Sequence, residues 1–150
     1  MRASERVMII IMLFWAGFVS SISFMEAWLK FRADGVTREI GLSIGKLIFT
    51  ALNRVEIILL ISVWILRLSQ KLEFRAILQM KNAWLWIISA IIALQSFWLL
   101  PQLSHNAQLI IDGTEMPSSL LHVWFGLFEL TKVSLLLLVS FKICHRPMVR

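Results

Sequence analysis

Residues 7–25 read VMIIIMLFWAGFVSSISFM, a run without a single charge, and the apolar character continues to about Leu29. A helix needs about 20 apolar residues to cross the hydrocarbon core of a bilayer, so this run is long enough to span. Arg2 and Arg6 precede it, as they would precede a signal peptide. A signal peptide has an apolar core of roughly 7–15 residues followed by an A-x-A-like cleavage site. This run is longer and no such site follows, so it reads as a retained helix.

Three similar runs follow. The second covers about 45–66 and is interrupted by Asn53, Arg54 and Glu56. The third, 82–103, is clean apart from Gln95 and closes at Pro101, a residue that suits a helix end. The fourth, 120–143, follows Met116-Pro117-Ser118-Ser119, where Ser118 or Ser119 can cap the first exposed N–H groups, and it contains His122, Glu129 and Lys132. No strand-type alternation competes with these runs. The expected fold is all-α, an integral membrane four-helix bundle. It forms a single transmembrane domain over 1–150, with helices at about 7–29, 45–66, 82–103 and 120–143.

Composition agrees. Hydrophobic residues make up 59% of the chain, against roughly 45–50% in soluble domains. The mean hydropathy is +0.80. Charged residues, at 16%, are too few for a disordered chain. The net charge of +6 does not point to nucleic acid, because the basic residues fall between apolar runs and form no patch on a soluble surface. Their natural partner is the lipid bilayer. The single cysteine, Cys144, excludes an internal disulfide and a CxxC metal site.

Basic residues near helix ends also set direction. The N-terminus, the second connection and the tail hold Arg2, Arg6, Arg67, Lys71, Arg75, Lys81, Lys142, Arg146 and Arg150. The opposite side has Lys30, Arg32, Arg38 and Lys46, together with Asp112 and Glu115. The excess puts both termini in the cytoplasm. Trp28, Trp84, Trp86 and Trp124 fall near the expected interfaces, as an aromatic belt would. Gly41 and Gly45 form a G-x-x-x-G close-packing motif at the start of the second span.

The candidate site is a set of polar residues inside the apolar spans. At about 1.5 Å per residue, Asn53, Arg54 and Glu56 lie roughly 12–17 Å below the outer helix end. Gln95 and Glu129 come out at about 12 Å, with Lys132 deeper and His122 near the rim. Ser23, Glu26 and Lys30 recur at helical spacing on the first span, and Lys46, Thr50 and Asn53 on the second. Gln95 and Gln102 are seven apart on the third, and His122 and Glu129 on the fourth. A charge at the centre of a lone helix costs roughly 2.5–3.5 kcal/mol, so these stripes should converge. The expected pairings are Arg54 with Glu56 or Glu129, and Lys132 with Glu129 or Glu56. Glu26, Asn53, Arg54, Glu56, Gln95, His122 and Glu129 are expected to form one connected, outward-opening site, with Glu56 the best candidate for a proton- or cation-linked role. Lys30 and Lys132 complete the candidate ligand-binding set. At the mouth, Lys30, Arg32, Arg38 and Lys46 would favour an anion or a lipid headgroup. The plainer reading is a packed network that only holds the helices in register.

Met25-Glu26-Ala27-Trp28-Leu29-Lys30-Phe31-Arg32-Ala33, then Gly41 and Gly45, then Ala51-Leu52-Asn53-Arg54-Val55-Glu56 form a pattern completed by Leu100-Pro101-Gln102-Leu103, His122, Glu129 and Lys132. This pattern resembles small bacterial four-helix membrane proteins of unknown function and, distantly, an animal family of four-span transmembrane proteins of unsettled role. The resemblance implies four helices over nearly the whole chain and a multi-pass protein of the bacterial inner membrane. It supplies no catalytic residue.

Three classes of function fit. The first is a non-enzymatic membrane protein whose polar site binds or passes a small polar or ionic ligand; four helices are few for transport, so a carrier would need a homo-oligomer. The second is a membrane-embedded metal or haem redox protein. Against it, only His122 lies within a span and no Glu-x-x-His pair exists; no metal set, cofactor or catalytic residue is assigned. The third is an accessory subunit pairing its polar residues with a membrane partner.

Overall fold

The computed structural model describes residues 2–69, 82–114 and 120–145. These residues are almost wholly helical, without a strand. Four long helices carry the fold: α1 Ala3–Arg32, α2 Arg38–Ser69, α3 Ala83–Ile111 and α4 Leu121–Cys144. The first three are long and apolar enough to cross a membrane. At 1.5 Å per residue they extend roughly 43–48 Å, against about 40–45 Å for a bilayer with its headgroups. The fourth carries Glu129 and Lys132 at its centre and is not among those three.

The helices reach further than the apolar runs alone indicate. α1 starts at Ala3, where the Glu5 carboxylate accepts the Arg2 backbone N–H at 2.8 Å. This acid in the first turn also complements the helix dipole. α2 starts at Arg38 because Thr37 caps it: its hydroxyl oxygen accepts the Ile40 N–H at 3.4 Å. α3 does not stop near Leu103 but runs on to Ile111. Gly113, at φ +86°, closes it with a Schellman arrangement in which Thr114 N–H bonds Leu109 C=O and Gly113 N–H bonds Ile110 C=O. The expected connection from residue 104 therefore shrinks by about two turns. Ser118 and Ser119, expected as caps of α4, lie outside the described residues, as do Lys71, Arg75, Lys81, Glu115, Arg146 and Arg150.

Pro101 sits inside α3 rather than at its end. The preceding residues Gln95–Leu99 are π-helical, and Leu100 N–H bonds Gln95 C=O five residues back. That widened turn accommodates a residue that lacks an N–H and crowds the preceding turn. It also shifts the helical register by one residue, so Gln95 is buried while Gln102 is exposed, and the expected stripe is broken. α1 has a matching π-helical turn at Ser21–Glu26.

α1 packs against α4 and α2, α2 against α3, and α3 against α4. The interior stripe on α1 is Met8, Met12, Trp15, Ala16 and Val19; Leu85, Ile88, Ile92 and Leu99 supply α3, and Val133 and Leu136 supply α4. The outside is just as apolar: Phe97 is 86% exposed, and Leu47, Ile58 and Leu138 are also open. A soluble monomer rarely shows so much contiguous apolar surface. Charges inside and large apolar residues outside invert the usual order.

Candidate functional site

At mid-height each helix contributes to one buried polar cluster. Trp15, Glu56, Gln95 and Lys132 each lie within three residues of the midpoint of their helix. Lys132 Nζ donates to Glu56 Oε1 at 2.6 Å, Gln95 Oε1 at 2.8 Å and Glu129 Oε1 at 3.1 Å, which uses all three ammonium hydrogens. Gln95 Nε2 donates to Glu129 Oε1 at 2.8 Å, and Trp15 Nε1 to Glu56 Oε1 at 3.0 Å. The side chains of Lys132 and Glu129 are 0% exposed. In a low-dielectric interior such a network is worthwhile only when its members are satisfied directly, and here they are bonded side chain to side chain. Glu129 Oε2 is the exception, buried without a hydrogen-bond partner.

The expected pairing of Lys132 with Glu129 and Glu56 is realised with both carboxylates at once. The expected role of Arg54 is not: it is exposed and joins neither Glu56 nor Glu129 among the described residues. Residues two apart on a helix do not face each other, so the inward turn of Glu56 carries Arg54 outward. Trp15 joins the cluster although it is not among the expected polar residues. Its signal was available: a mid-span indole N–H, away from either interface, needs an acceptor.

One turn toward the end of the bundle where α1 meets α2, the outer end in the expected topology, Asn53 Oδ1 accepts from Ser96 Oγ at 3.1 Å. Further out the polar residues form a second group. Lys30 Nζ bonds Glu26 Oε2 at 3.3 Å, and lies 5.2 Å and 5.5 Å from the Phe49 and Phe31 ring centroids. Its side chain is only 9% exposed. The two glycines explain how it fits. A Cβ at Gly45 would sit 2.8 Å from Lys30 Nζ, and a Cβ at Gly41 would collide with the Phe31 ring. The G-x-x-x-G motif thus admits side chains of α1 against α2.

Beside these glycines, which are part of its lining, the four helices enclose a cleft of about 190 Å³. Lys30, Lys46 and His122 are its basic lining residues; Phe49, Phe125, Leu100 and Leu103 are among its apolar ones. Phe49 and Phe125 meet edge to face at 5.1 Å. Lys46 Nζ reaches Gln108 Oε1 at 3.4 Å, on the stretch of α3 beyond Leu103 that replaces the expected connection. No carboxylate lines the cleft. Lys46 and His122 each lie ten residues from Glu56 and Lys132, which places the cleft about 15 Å outward of the buried cluster.

The nine candidate residues thus fall into separate places. Glu56, Gln95, Glu129 and Lys132 form the closed cluster; Lys30 and His122 line the outer cleft, with Glu26 beside it as the partner of Lys30; Asn53 stands between, and Arg54 faces away. No group of three or more His, Cys, Asp or Glu side chains suited to a metal ion occurs among the described residues. The chain matches no family model, no curated protein and no solved structure.

Proposed function

We propose that the protein is a four-helix integral membrane bundle, with both termini cytoplasmic, that binds a single anionic amphiphile in its outer cleft. α4 joins the three apolar helices as a fourth span because Lys132 pairs with both Glu56 and Glu129 inside the bundle, and all three are buried away from lipid. The observation that carries the ligand reading is the cleft's lining: the basic side chains Lys30, Lys46 and His122 set among aromatic and leucine side chains, with no acid in the lining and Glu26 paired to Lys30 beside it. Its volume of about 190 Å³ exceeds the roughly 150 Å³ of an apolar cavity that admits benzene, enough for a ring or a short acyl segment. About 15 Å from the middle of the helices lies the boundary between acyl chains and headgroups, where a carboxylate or phosphate head naturally sits. The same arrangement argues for binding rather than passage, since the buried cluster fills the space below with direct bonds.

The test uses the full chain in nanodiscs of a zwitterionic lipid, with four probes: octanoate, octylammonium, octanol and inorganic phosphate. Ligand at a hundred times its Kd stabilises by about 2.7 kcal/mol, a readable rise in Tm. Octanoate raises Tm, while the other three at matched concentration do not. Lys46→Met and a cleft-filling Ala107→Phe each remove the octanoate effect. Equal shifts from octanoate and octylammonium would sink the ligand class, and an octanoate effect untouched by Ala107→Phe would sink the site.

A further inference from the structure

α2 leaves one face uncovered. Leu47, Ala51, Arg54, Ile58, Ile61 and Ile65 are all exposed. Their alternating spacing of four and three residues puts them on one stripe, the geometry of a seam between two left-handed supercoiled helices. Five of the six are apolar. Arg54 interrupts them at the midpoint of Arg38–Ser69, level with the buried cluster through its neighbour Glu56.

A guanidinium keeps its charge in any protein environment. From mid-membrane the hydrocarbon edge is about 15 Å away, too far for the side chain to snorkel fully to the headgroups. Among the described residues nothing pairs with it. The chain's own acids are poorly placed to do so from a second copy. Glu56 and Glu129 are buried in the cluster with Lys132. Glu5, Glu26, Asp34, Glu39 and Asp112 lie toward helix ends, and Glu73 and Glu115 fall beyond Ser69 and Ile111 in sequence. A second copy related by a two-fold axis along the membrane normal would set the two Arg54 guanidiniums against each other.

We propose that this face of α2 docks a membrane helix of a different protein chain, one that carries an aspartate or glutamate at mid-membrane and pairs it with Arg54. The apolar stripe supplies the packing surface. The charge supplies the specificity, because a carboxylate can accept the planar guanidinium through two parallel bonds while an uncharged helix leaves it desolvated. The proposal rests on α2 spanning the membrane and is independent of what occupies the cleft.

The experiment places the photo-reactive residue p-benzoylphenylalanine at position 58 (Ile58 in the natural chain) of the full protein, in the cells that make it, and identifies the adducts by mass spectrometry. The expected adduct is a second membrane protein whose cross-linked helix has Asp or Glu near its middle. Arg54→Leu lowers its yield by at least about tenfold, the loss expected on removing one member of a desolvated charge pair. Arg54→Glu combined with an Arg at the partner's acidic position restores it. Among the described residues Arg54 makes no hydrogen bond or ion pair, so Arg54→Leu melts like the parent, which separates lost docking from misfolding. The same photo-reactive residue in place of Phe97 gives no such adduct. Adducts with lipid alone or with a second copy, no adduct, a yield indifferent to Arg54→Leu, or a lowered melting point in that variant would each overturn the proposal. Reaction of Arg54→Cys with an impermeant thiol reagent, in a Cys144→Ser background, would overturn it at its premise.

Discussion

The middle and the outer end of the bundle handle the same residue types in opposite ways. At mid-height Lys132 is surrounded by Glu56, Gln95 and Glu129 within 3.1 Å and is sealed from solvent. At the outer end Lys30 has one carboxylate at 3.3 Å, two aromatic rings and a cleft of about 190 Å³ beside it. One lysine has its three donors occupied by the chain; the other has donors to spare. The first arrangement fixes four helices in register, and the second leaves a place for something else. A buried polar residue is therefore informative only together with its count of internal partners.

That contrast sets the order of expected effects. Lys132→Met should be the most damaging single change, because it leaves two carboxylates buried without their ammonium, a situation that costs about 3–5 kcal/mol. Reversible unfolding in mixed micelles measures it, and a loss below that of any cleft variant would break the distinction between the two regions. Glu129→Ala should follow, at about 2–3 kcal/mol, since it strands the Gln95 amide and one Lys132 hydrogen. Glu129→Gln should lose less than about 1 kcal/mol, because its amide oxygen still accepts and Lys132 is left matched to Glu56 alone. Equal, negligible losses for both substitutions would place Glu129 in water or against a partner. Trp15→Phe removes one hydrogen bond to a charged group and keeps most of the packing, for about 1–2 kcal/mol. Lys46→Met, by contrast, should leave stability within about 0.5 kcal/mol, as an exposed side chain away from the core does, and should show itself only in octanoate binding.

The topology is tested separately. In a Cys144→Ser background, Asp34→Cys and Thr114→Cys should react with an impermeant reagent on intact cells. Thr114 is the better choice than its neighbour Gly113, whose φ of +86° strains any residue with a side chain. Labelling only after lysis would reverse the orientation.

The helices themselves were legible, because an apolar run of 20 residues has few other structures available. Their ends were less so. Thr37 and Gly113 set two of them by cap chemistry, and a hydropathy reading passes over both. Pro101 carried the right signal, a disturbed helix, with the wrong remedy: the π-helical turn at Gln95–Leu99 absorbs it. For the site, sequence gives depth well and angle poorly. Glu129 and Lys132 are three apart and Glu26 and Lys30 four apart, so both pairs could be read from spacing alone. Arg54 and Glu56 share a depth but point apart, which charge matching without helical angle does not register. Trp15 was hidden because an indole reads as apolar until its N–H is counted.

The polar column is open at its outer end, where the cleft lies, and closed at its middle, where Lys132 is sealed. A cysteine scan along α2 from Leu42 to Glu56, in the Cys144→Ser background and with an impermeant thiol reagent added outside, tests it most directly. Positions 42 and 46 should react readily, 49 should react and be protected by octanoate, and 52 and 56 should not react at all. Reaction at 52 or 56 at a rate near that of 46 would mean that water reaches the buried cluster, and the account of a closed interlock beneath a binding cleft would be wrong.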